Sequence, residues 1–166
     1  VLVCNGKVYL VKPDDGKHYA CLCGGAYASY HKNVGHTACT FRSDWKDLNA
    51  FLAEQNIADG TLFNMPAGRY YLTNDLTIKH YLVMAKSTVV SIDLNGYTLT
   101  GAAVTGGTDI PLLRVQGGGE LNICDSSYDA ATNTYAACGD VIHQQVGEKL
   151  ENLLIYQRNG LLIPNE

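Results

Sequence analysis

The chain has 166 residues, which is enough for one domain with a buried core, or for one domain and a small appendage. Hydrophobic residues make up 46% of it and charged residues 17%, so the composition excludes an intrinsically disordered protein. The formal charge is −4 and the basic residues stand singly, which excludes a polybasic surface for nucleic acid or anionic lipid. The apolar stretches are too short to cross a bilayer, so no membrane insertion is predicted.

Residues 1–42 form a zone rich in cysteine and histidine. Its first two apolar segments flank Asn5-Gly6, a dipeptide typical of a type I′ turn, and they predict a short β-hairpin. Further on, Cys21-Leu-Cys23 and His36-Thr-Ala-Cys39 bring two pairs of soft ligands, and thiolates and imidazoles are the ligands of tetrahedral zinc. This spacing predicts a structural zinc site at Cys21, Cys23, His36 and Cys39, with His31 as a reserve ligand.

Disulfides are the alternative to zinc in this zone. Neighbouring cysteines one residue apart do not pair easily with each other, so Cys21 and Cys23 need separate partners, such as Cys39 and Cys4. A second pair, Cys124 and Cys138, brackets a polar loop of about 15 residues, and a bridge there stabilises a fold by about 3 kcal/mol. Two buried thiols at these positions are the alternative.

Residues 43–60 predict the one helix of the chain. Ser43 is a suitable N-cap, with Asp44 in the first turn, and Asp59-Gly60 provides the stop. One apolar stripe at helical spacing runs along it, formed by Trp45, Leu48, Phe51, Leu52 and Ile57.

Residues 61–166 change to a period of two, with turn signals between short apolar runs. The phrase Asp93-Leu-Asn returns as Glu120-Leu-Asn, which indicates a repeat of roughly 20 to 30 residues. Such a repeat predicts a mainly β fold, a β-solenoid of three or four coils with Asn and small residues stacked at its corners. An ordinary β-sandwich with coincidental similarity is the alternative. The last apolar segment, around Asn159-Gly160, predicts a C-terminal hairpin or a strand that pairs with something else.

The phrase Ile92-Asp-Leu-Asn-Gly-Tyr-Thr-Leu-Thr-Gly101 resembles a coil of the pectate-lyase-like right-handed parallel β-helix proteins. The order of the phrases over residues 21–126 is similar to that of surface-exposed repeat proteins of anaerobic gut bacteria. The resemblance implies a right-handed parallel β-helix. Because a terminal coil presents unpaired backbone and apolar surface, we expect the helix and the cysteine zone to cap its N-terminal end. It implies little about activity.

The sequence offers no complete catalytic set. The acids available on the coils are Asp75, Asp93, Glu120 and Asp125, and Asp93 and Glu120 occupy equivalent positions if the repeated phrase marks the register. Two stacked carboxylates could serve polysaccharide cleavage, and a structural corner ladder explains them equally well. The acids near residues 125–140 lack the order of a calcium loop, and the eleven tyrosines are as well explained by strand propensity as by sugar stacking. We therefore expect no enzyme.

The function predicted from these patterns is a non-enzymatic extracellular structural or interaction module, which assembles by end-to-end stacking or strand exchange in a surface fibre or adhesin. A solenoid needs a cap at each end, and the C-terminal end has no second cap signal, so self-association or contact with a following domain is expected. A carbohydrate-binding or polysaccharide-cleaving β-helix domain is the alternative. The chain begins at Val1, so we expect a processed or trimmed product, and its low-charge polar residues favour a secreted or cell-surface location.

Overall fold

A computed structural model of the chain describes residues 2–4, 7–9, 15–21, 42–104, 112–129, 134–135, 139–143, 155–158 and 161–163. Over these residues the protein is mainly β, with one short helix. The strands before and beside the helix are β1 (Leu2–Cys4), β2 (Lys7–Tyr9) and β3 (Trp45–Asp47), and the helix is α1 (Leu48–Glu54). The strands that follow are β4 (Leu62–Asn64), β5 (Gly68–Tyr71), β6 (Leu76–Ile78), β7 (Tyr81–Met84), β8 (Val89–Asp93), β9 (Thr98–Gly101), β10 (Leu113–Gln116), β11 (Glu120–Cys124), β12 (Tyr128–Asp129), β13 (Thr134–Tyr135), β14 (Asp140–His143), β15 (Ile155–Arg158) and β16 (Leu161–Ile163).

Three parallel sheets contain most of these strands. One has the order β15-β10-β7-β4, the second has the order β16-β11-β8-β5-β3, and the third has the order β14-β9-β6. Each strand from β4 to β8 therefore pairs with the strand three elements later in the chain: β4 with β7, β5 with β8, β6 with β9, β7 with β10 and β8 with β11. The chain passes through the three sheets in turn, so three successive strands add one strand to each sheet. Because parallel strands need crossover connections, every sheet is built from segments distant in sequence.

Two small antiparallel pairs lie outside these sheets. β1 and β2 pair with Leu2 opposite Tyr9 and Cys4 opposite Lys7, which confirms the predicted N-terminal hairpin. β12 and β13 form a second short pair between β11 and β14.

The register of the five-stranded sheet corrects the repeat inferred from the sequence. Asp93 lies opposite Cys124 and Glu120 lies opposite Val89, so the two acids do not occupy equivalent positions. The Asp-Leu-Asn and Glu-Leu-Asn phrases start at opposite ends of their strands. The two phrases are similar because strands and turns favour the same residue types, and they are not aligned in the pairing of β8 with β11.

The helix is shorter than the predicted span of residues 43–60. Residues Trp45–Asp47 form β3 and pair with β5, so Trp45 does not lie on the helical stripe. Asp47 is the N-cap in place of Ser43, and its carboxylate accepts a hydrogen bond from the backbone N–H of Ala50 at 3.0 Å. The helix ends at Glu54 with Gln55 as its C-cap, and Asn56 follows with a left-handed φ of 50°, which is the geometry of a helix stop.

The predicted C-terminal hairpin is wrong. β15 pairs in parallel with β10, and β16 pairs in parallel with β11, so the two strands belong to different sheets. The turn dipeptide Asn159-Gly160 lies outside the described residues. A corner between two sheets and a hairpin use the same turn residues, so local sequence does not distinguish them.

The core lies between the three sheets, and α1 packs against it. Leu48 and Leu52 of α1 are buried in the same cluster as Leu82, Leu99 and Leu121, one from each sheet. Phe51 packs against Tyr70 with the ring centroids 5.2 Å apart. The sides of the strands that point inward are apolar, as period-two patterning requires.

Gly119 lies in the turn between β10 and β11, where its backbone approaches the end of β7 too closely for a side chain. A Cβ at this position would lie 2.5 Å from the carbonyl oxygens of Met84 and Ala85. We predict that Gly119→Ala lowers the free energy of unfolding by at least about 3 kcal/mol, because backbone atoms cannot move aside as a side chain can.

Gly118→Ala is the matched control, measured by urea denaturation beside Gly119→Ala. A Cβ on Gly118 would meet nothing within 4 Å, but its φ is +82°, so this change reports backbone strain alone, about 1 kcal/mol. Equal losses for the two variants would contradict the steric explanation.

Candidate functional site

The five-stranded sheet has an outer face that is polar yet buried. On β8, Val90 and Ile92 belong to the main core, so the alternate residues Ser91 and Asp93 lie on the opposite face. Ser91 is 4% exposed and Asp93 is 0% exposed. A polar sheet face that excludes water must be covered by another part of the chain, and residues 15–21 cover it.

Residues 15–21, called here the covering segment, contact the outer face through His18 and Ala20. The His18 ring stacks on Tyr71, with centroids 3.9 Å apart and planes 4° apart, and meets the Trp45 ring edge-on at 6.1 Å. Ala20 exchanges two backbone hydrogen bonds with Arg42, each 3.1 Å long. The segment is thus fixed both by ring packing and by an antiparallel bridge.

Asp93 is the polar centre of this contact. Its Oδ2 lies 2.6 Å from Nε2 of His18, whose side chain is only 10% exposed. Its Oδ1 accepts hydrogen bonds from the backbone N–H groups of Asn95 at 3.0 Å and Ser126 at 2.8 Å. A buried carboxylate is tolerated when its oxygens are supplied with donors in this way. Asp93 therefore connects three segments that are far apart in sequence.

Asp93 also belongs to a row of hydrogen-bonding side chains at the corner where the chain leaves the five-stranded sheet. We call this row the corner ladder, and its members are Asp47, Asn49, Thr73, Asp93, Asn95, Asp125 and Ser126. Asn49 accepts from the Thr73 N–H at 3.0 Å, and Asn95 donates to the Leu72 carbonyl at 3.0 Å. The Ser126 hydroxyl donates to the Asn95 side chain at 3.3 Å. Side chains that follow successive strands of this sheet are thus hydrogen bonded to one another, but Glu120, which the sequence paired with Asp93 in such a ladder, is not among them.

Asp125, the residue that follows β11, provides the next carboxylate of the corner ladder. Its Oδ1 accepts from the N–H groups of Gly96 at 2.9 Å and Ser127 at 3.0 Å, and its Oδ2 accepts from Gly139 at 2.7 Å. Asn95 has a left-handed φ of 52° and Gly96 a φ of 81°, so this turn exposes backbone donors that need an acceptor. The carboxylate supplies it.

The four acids singled out in the sequence do not gather into an acid–base pair. Asp93 and Asp125 are occupied by backbone donors, and Asp75 accepts from the Thr98 N–H at 2.8 Å. Glu120 accepts from the side chain of Asn122 at 2.8 Å. Each acid therefore has a structural partner that accounts for its position.

Two cysteine thiols are buried in this region: Cys21, the last residue of the covering segment, and Cys124, the last residue of β11. Cys21 is 8% exposed and Cys124 is 3% exposed, and Cys124 forms one buried cluster with Ala20 and Trp45. Burial raises the pKa of the Cys124 thiol well above its ordinary value, and the charges of Asp93, Cys21 and Asp125 raise it further. A catalytic cysteine needs a lowered pKa and access to solvent, so Cys124 is not a nucleophile in this state.

Only part of the predicted zinc set falls within the described residues. Cys21 is buried near Cys124, whereas Cys23, His36, Cys39 and the reserve ligand His31 lie outside them. Among the described residues no group of three or more metal-binding side chains is found. Zinc binding by Cys21, Cys23, His36 and Cys39 stays a prediction.

Cys124 carries a thiol, as in the alternative of two buried thiols at Cys124 and Cys138, and a bridge between the two stays a prediction. Cys138 lies outside the described residues. The neighbouring Gly139 is tightly enclosed: a Cβ there would lie 2.5 Å from Cβ of Leu94.

Sequence reasoning missed the contact between His18 and Asp93. The two residues are 75 positions apart, and the intervening sequence carries no motif that joins them. The one available signal was Asp93 itself, an acid within an apolar strand, which requires a buried partner.

Comparisons of the chain with protein-family models, with characterised proteins and with solved structures give no match. The resemblance to pectate-lyase-like proteins and to bacterial surface proteins therefore stays a prediction from the sequence. Within the described part of the chain, no helix is both long and apolar enough to cross a membrane.

We predict that Asp93→Ala lowers the free energy of unfolding by about 3–5 kcal/mol, because it leaves the His18 ring and two backbone N–H groups without their acceptor. Thermal and urea unfolding measure the loss. Asp59→Ala is the control, since Asp59 is 63% exposed and pairs with Lys79 at 3.5 Å; it should change stability by less than about 0.5 kcal/mol.

We predict that His18→Ala detaches the covering segment while the three sheets persist. Removing the ring and its charged hydrogen bond should raise the rate of Cys124 alkylation by iodoacetamide at least about tenfold, measured by mass spectrometry of the peptides. Lys17→Ala, an exposed change in the same segment, serves as control and should leave the rate unaltered. Slow labelling in both variants would show that Cys124 is shielded by something other than His18.

Proposed function

We propose that the chain is a short right-handed β-solenoid that acts as a non-enzymatic structural or interaction module of an extracellular protein. The observation that carries the proposal is the order of strand pairing. The chain adds one strand to each of three parallel sheets in turn, and α1 lies across the end of the core where this order begins. Right-handedness is supported by the strong preference of parallel crossover connections for that hand.

The non-enzymatic part of the proposal is supported by what the polar residues do. The carboxylates of Asp93 and Asp125 accept hydrogen bonds from backbone N–H groups at the corner. The Cys124 thiol is buried and has a raised pKa. These groups stabilise the fold and have no spare capacity for proton transfer or nucleophilic attack. The extracellular part is supported by the low-charge composition.

The two ends of the solenoid differ, and this difference supports a particular mode of contact. At the first end, α1 buries Leu48 and Leu52 over the core. At the other end, β14, β15 and β16 are the last strands of their sheets, and none of the described residues pairs with their outer edges. Open strand edges pair readily with further strands. Head-to-tail stacking would require displacement of α1, so we propose pairing between two C-terminal ends, or between this end and a following domain.

We predict concentration-dependent dimers that depend on this end, measured by sedimentation velocity or size-exclusion chromatography with light scattering. The double variant Tyr156→Lys with Leu161→Lys should be monomeric, because lysines on edge strands oppose pairing. Tyr156 lies opposite Arg114 and Leu161 lies opposite Glu120 in the register, and both of these partners are partly exposed.

Leu62→Lys is the matched control, since Leu62 is 47% exposed on β4, the edge strand at the α1 end. It should leave the dimer intact. A wild-type chain that stays monomeric at all concentrations contradicts self-association, and glycan-array binding with the same sample would then favour the carbohydrate-binding alternative.

A further inference from the structure

The corner between β8 and β9 contains two residues in the left-handed conformation, and the sequence supplies them as the dipeptide Asn95-Gly96. Asn95 has a φ of 52° and Gly96 a φ of 81°. Glycine adopts this conformation freely, and asparagine is one of the few other residues that tolerate it. The same dipeptide is chemically labile, because glycine has no side chain to shield its nitrogen from the asparagine amide. A requirement of the backbone thus places a labile dipeptide in the middle of the strand stack.

Both groups that would react with each other are hydrogen bonded to other parts of the chain. The Gly96 N–H donates to Oδ1 of Asp125 at 2.9 Å. The Asn95 side chain donates to the carbonyl of Leu72 at 3.0 Å and accepts from the Ser126 hydroxyl at 3.3 Å. An amide nitrogen must lose its proton before it attacks a carbonyl carbon, and a carboxylate that accepts this proton in a hydrogen bond opposes the loss. The other two bonds hold the side-chain amide between the segments that follow β5 and β11.

We propose that Asn95-Gly96 is a deamidation site that the corner ladder protects in the folded protein. When these hydrogen bonds break transiently, the Gly96 nitrogen loses its proton to water and attacks Cγ of the Asn95 side chain. A bond forms between these two atoms, the bond from Cγ to Nδ2 breaks, and the leaving nitrogen takes up a proton and departs as ammonia. Water then adds to either carbonyl of the cyclic imide, which gives aspartate or isoaspartate. The net reaction consumes one water and releases one ammonia, and it needs no oxidant or reductant.

Neither product fits the corner as it stands. An aspartate side chain at position 95 lacks the donor to the Leu72 carbonyl and sets a negative oxygen against it. The new charge also lies beside the carboxylates of Asp93 and Asp125, which accept from the backbone N–H groups of Asn95 and Gly96. Isoaspartate adds a carbon atom to the main chain two residues before β9 begins, where β9 pairs with β6. Deamidation is therefore a one-way change that weakens the corner.

The test is peptide mapping by mass spectrometry of the full chain after incubation in mildly alkaline buffer, folded in one sample and unfolded in guanidinium chloride in the other. We expect deamidation of Asn95 to be at least about tenfold slower in the folded chain, because it then requires local opening. In the unfolded sample, Asn5-Gly6 and Asn159-Gly160 give the rate of the same dipeptide elsewhere in the sequence. Equal rates at Asn95 in the two samples would overturn the proposal, as would an Asn95 that stays intact in the unfolded chain while the other two dipeptides react.

Asp125→Ala removes the acceptor of the Gly96 N–H, so deamidation of Asn95 in the folded chain should accelerate at least about fivefold. Asp75→Ala is the matched control, since Asp75 also accepts a backbone N–H, that of Thr98 at 2.8 Å, outside the dipeptide. It should leave the rate within about twofold of wild type. Equal acceleration in both variants would assign the protection to overall stability and refute the role of the ladder. The comparison of folded with unfolded wild-type chain does not depend on whether these variants fold.

Asn95→Asp reproduces one product of the reaction, and we expect it to lower the unfolding midpoint by at least about 5 °C. Asn74→Asp is the matched control for the same chemical change. Asn74 is exposed and its side-chain oxygen accepts from Asn49, as a carboxylate would, so the midpoint should move by less than about 2 °C. A midpoint of Asn95→Asp equal to that of wild type would contradict the expected weakening of the corner.

Discussion

The buried carboxylate of Asp93 joins the parts of the molecule that the three sheets alone do not connect. A charge without solvent costs several kcal/mol unless its oxygens are fully hydrogen bonded, and here two backbone N–H groups and the His18 ring satisfy them. The same side chain accepts from Asn95 in the corner after β8 and from Ser126 in the corner after β11, and it bonds to His18 of the covering segment. Its removal would affect all three contacts, so we expect the loss of this one side chain to be strongly destabilising.

Two kinds of contact stabilise the rest of the molecule: apolar packing between the sheets and hydrogen bonds at the corners and on the outer face. The inward faces of the sheets bury leucine, isoleucine and valine, and that burial drives folding without direction. The corners and the outer face are polar, and their hydrogen bonds fix where the chain turns and which strand lies opposite which. The ladder from Asn49 to Ser126 does this at one corner, where the left-handed Asn95 and Gly96 expose backbone donors. Directional bonds at the corners thus reinforce the register that the buried apolar faces of the sheets specify.

The proposed function depends on the ends of the strand stack, where α1 packs against the core at one end and the edges of β14, β15 and β16 lie at the other. The covering segment contacts a different part of the molecule, the outer face of the five-stranded sheet, through the His18 ring.

The sequence by itself determined the β class, the N-terminal hairpin, the presence of one helix and its apolar residues Leu48, Phe51 and Leu52, because hydrophobic period and turn residues act over a few positions. Only the tertiary structure decided that Trp45 pairs as a strand, that β15 and β16 enter different sheets, and that Asp93 lies opposite Cys124 and not in line with Glu120. Parallel pairing joins segments through long crossovers, so its register depends on the packing of the whole core. The contact of His18 with Asp93 arises in the same way, since a buried charge finds its partner in space and leaves no trace of it in the local sequence.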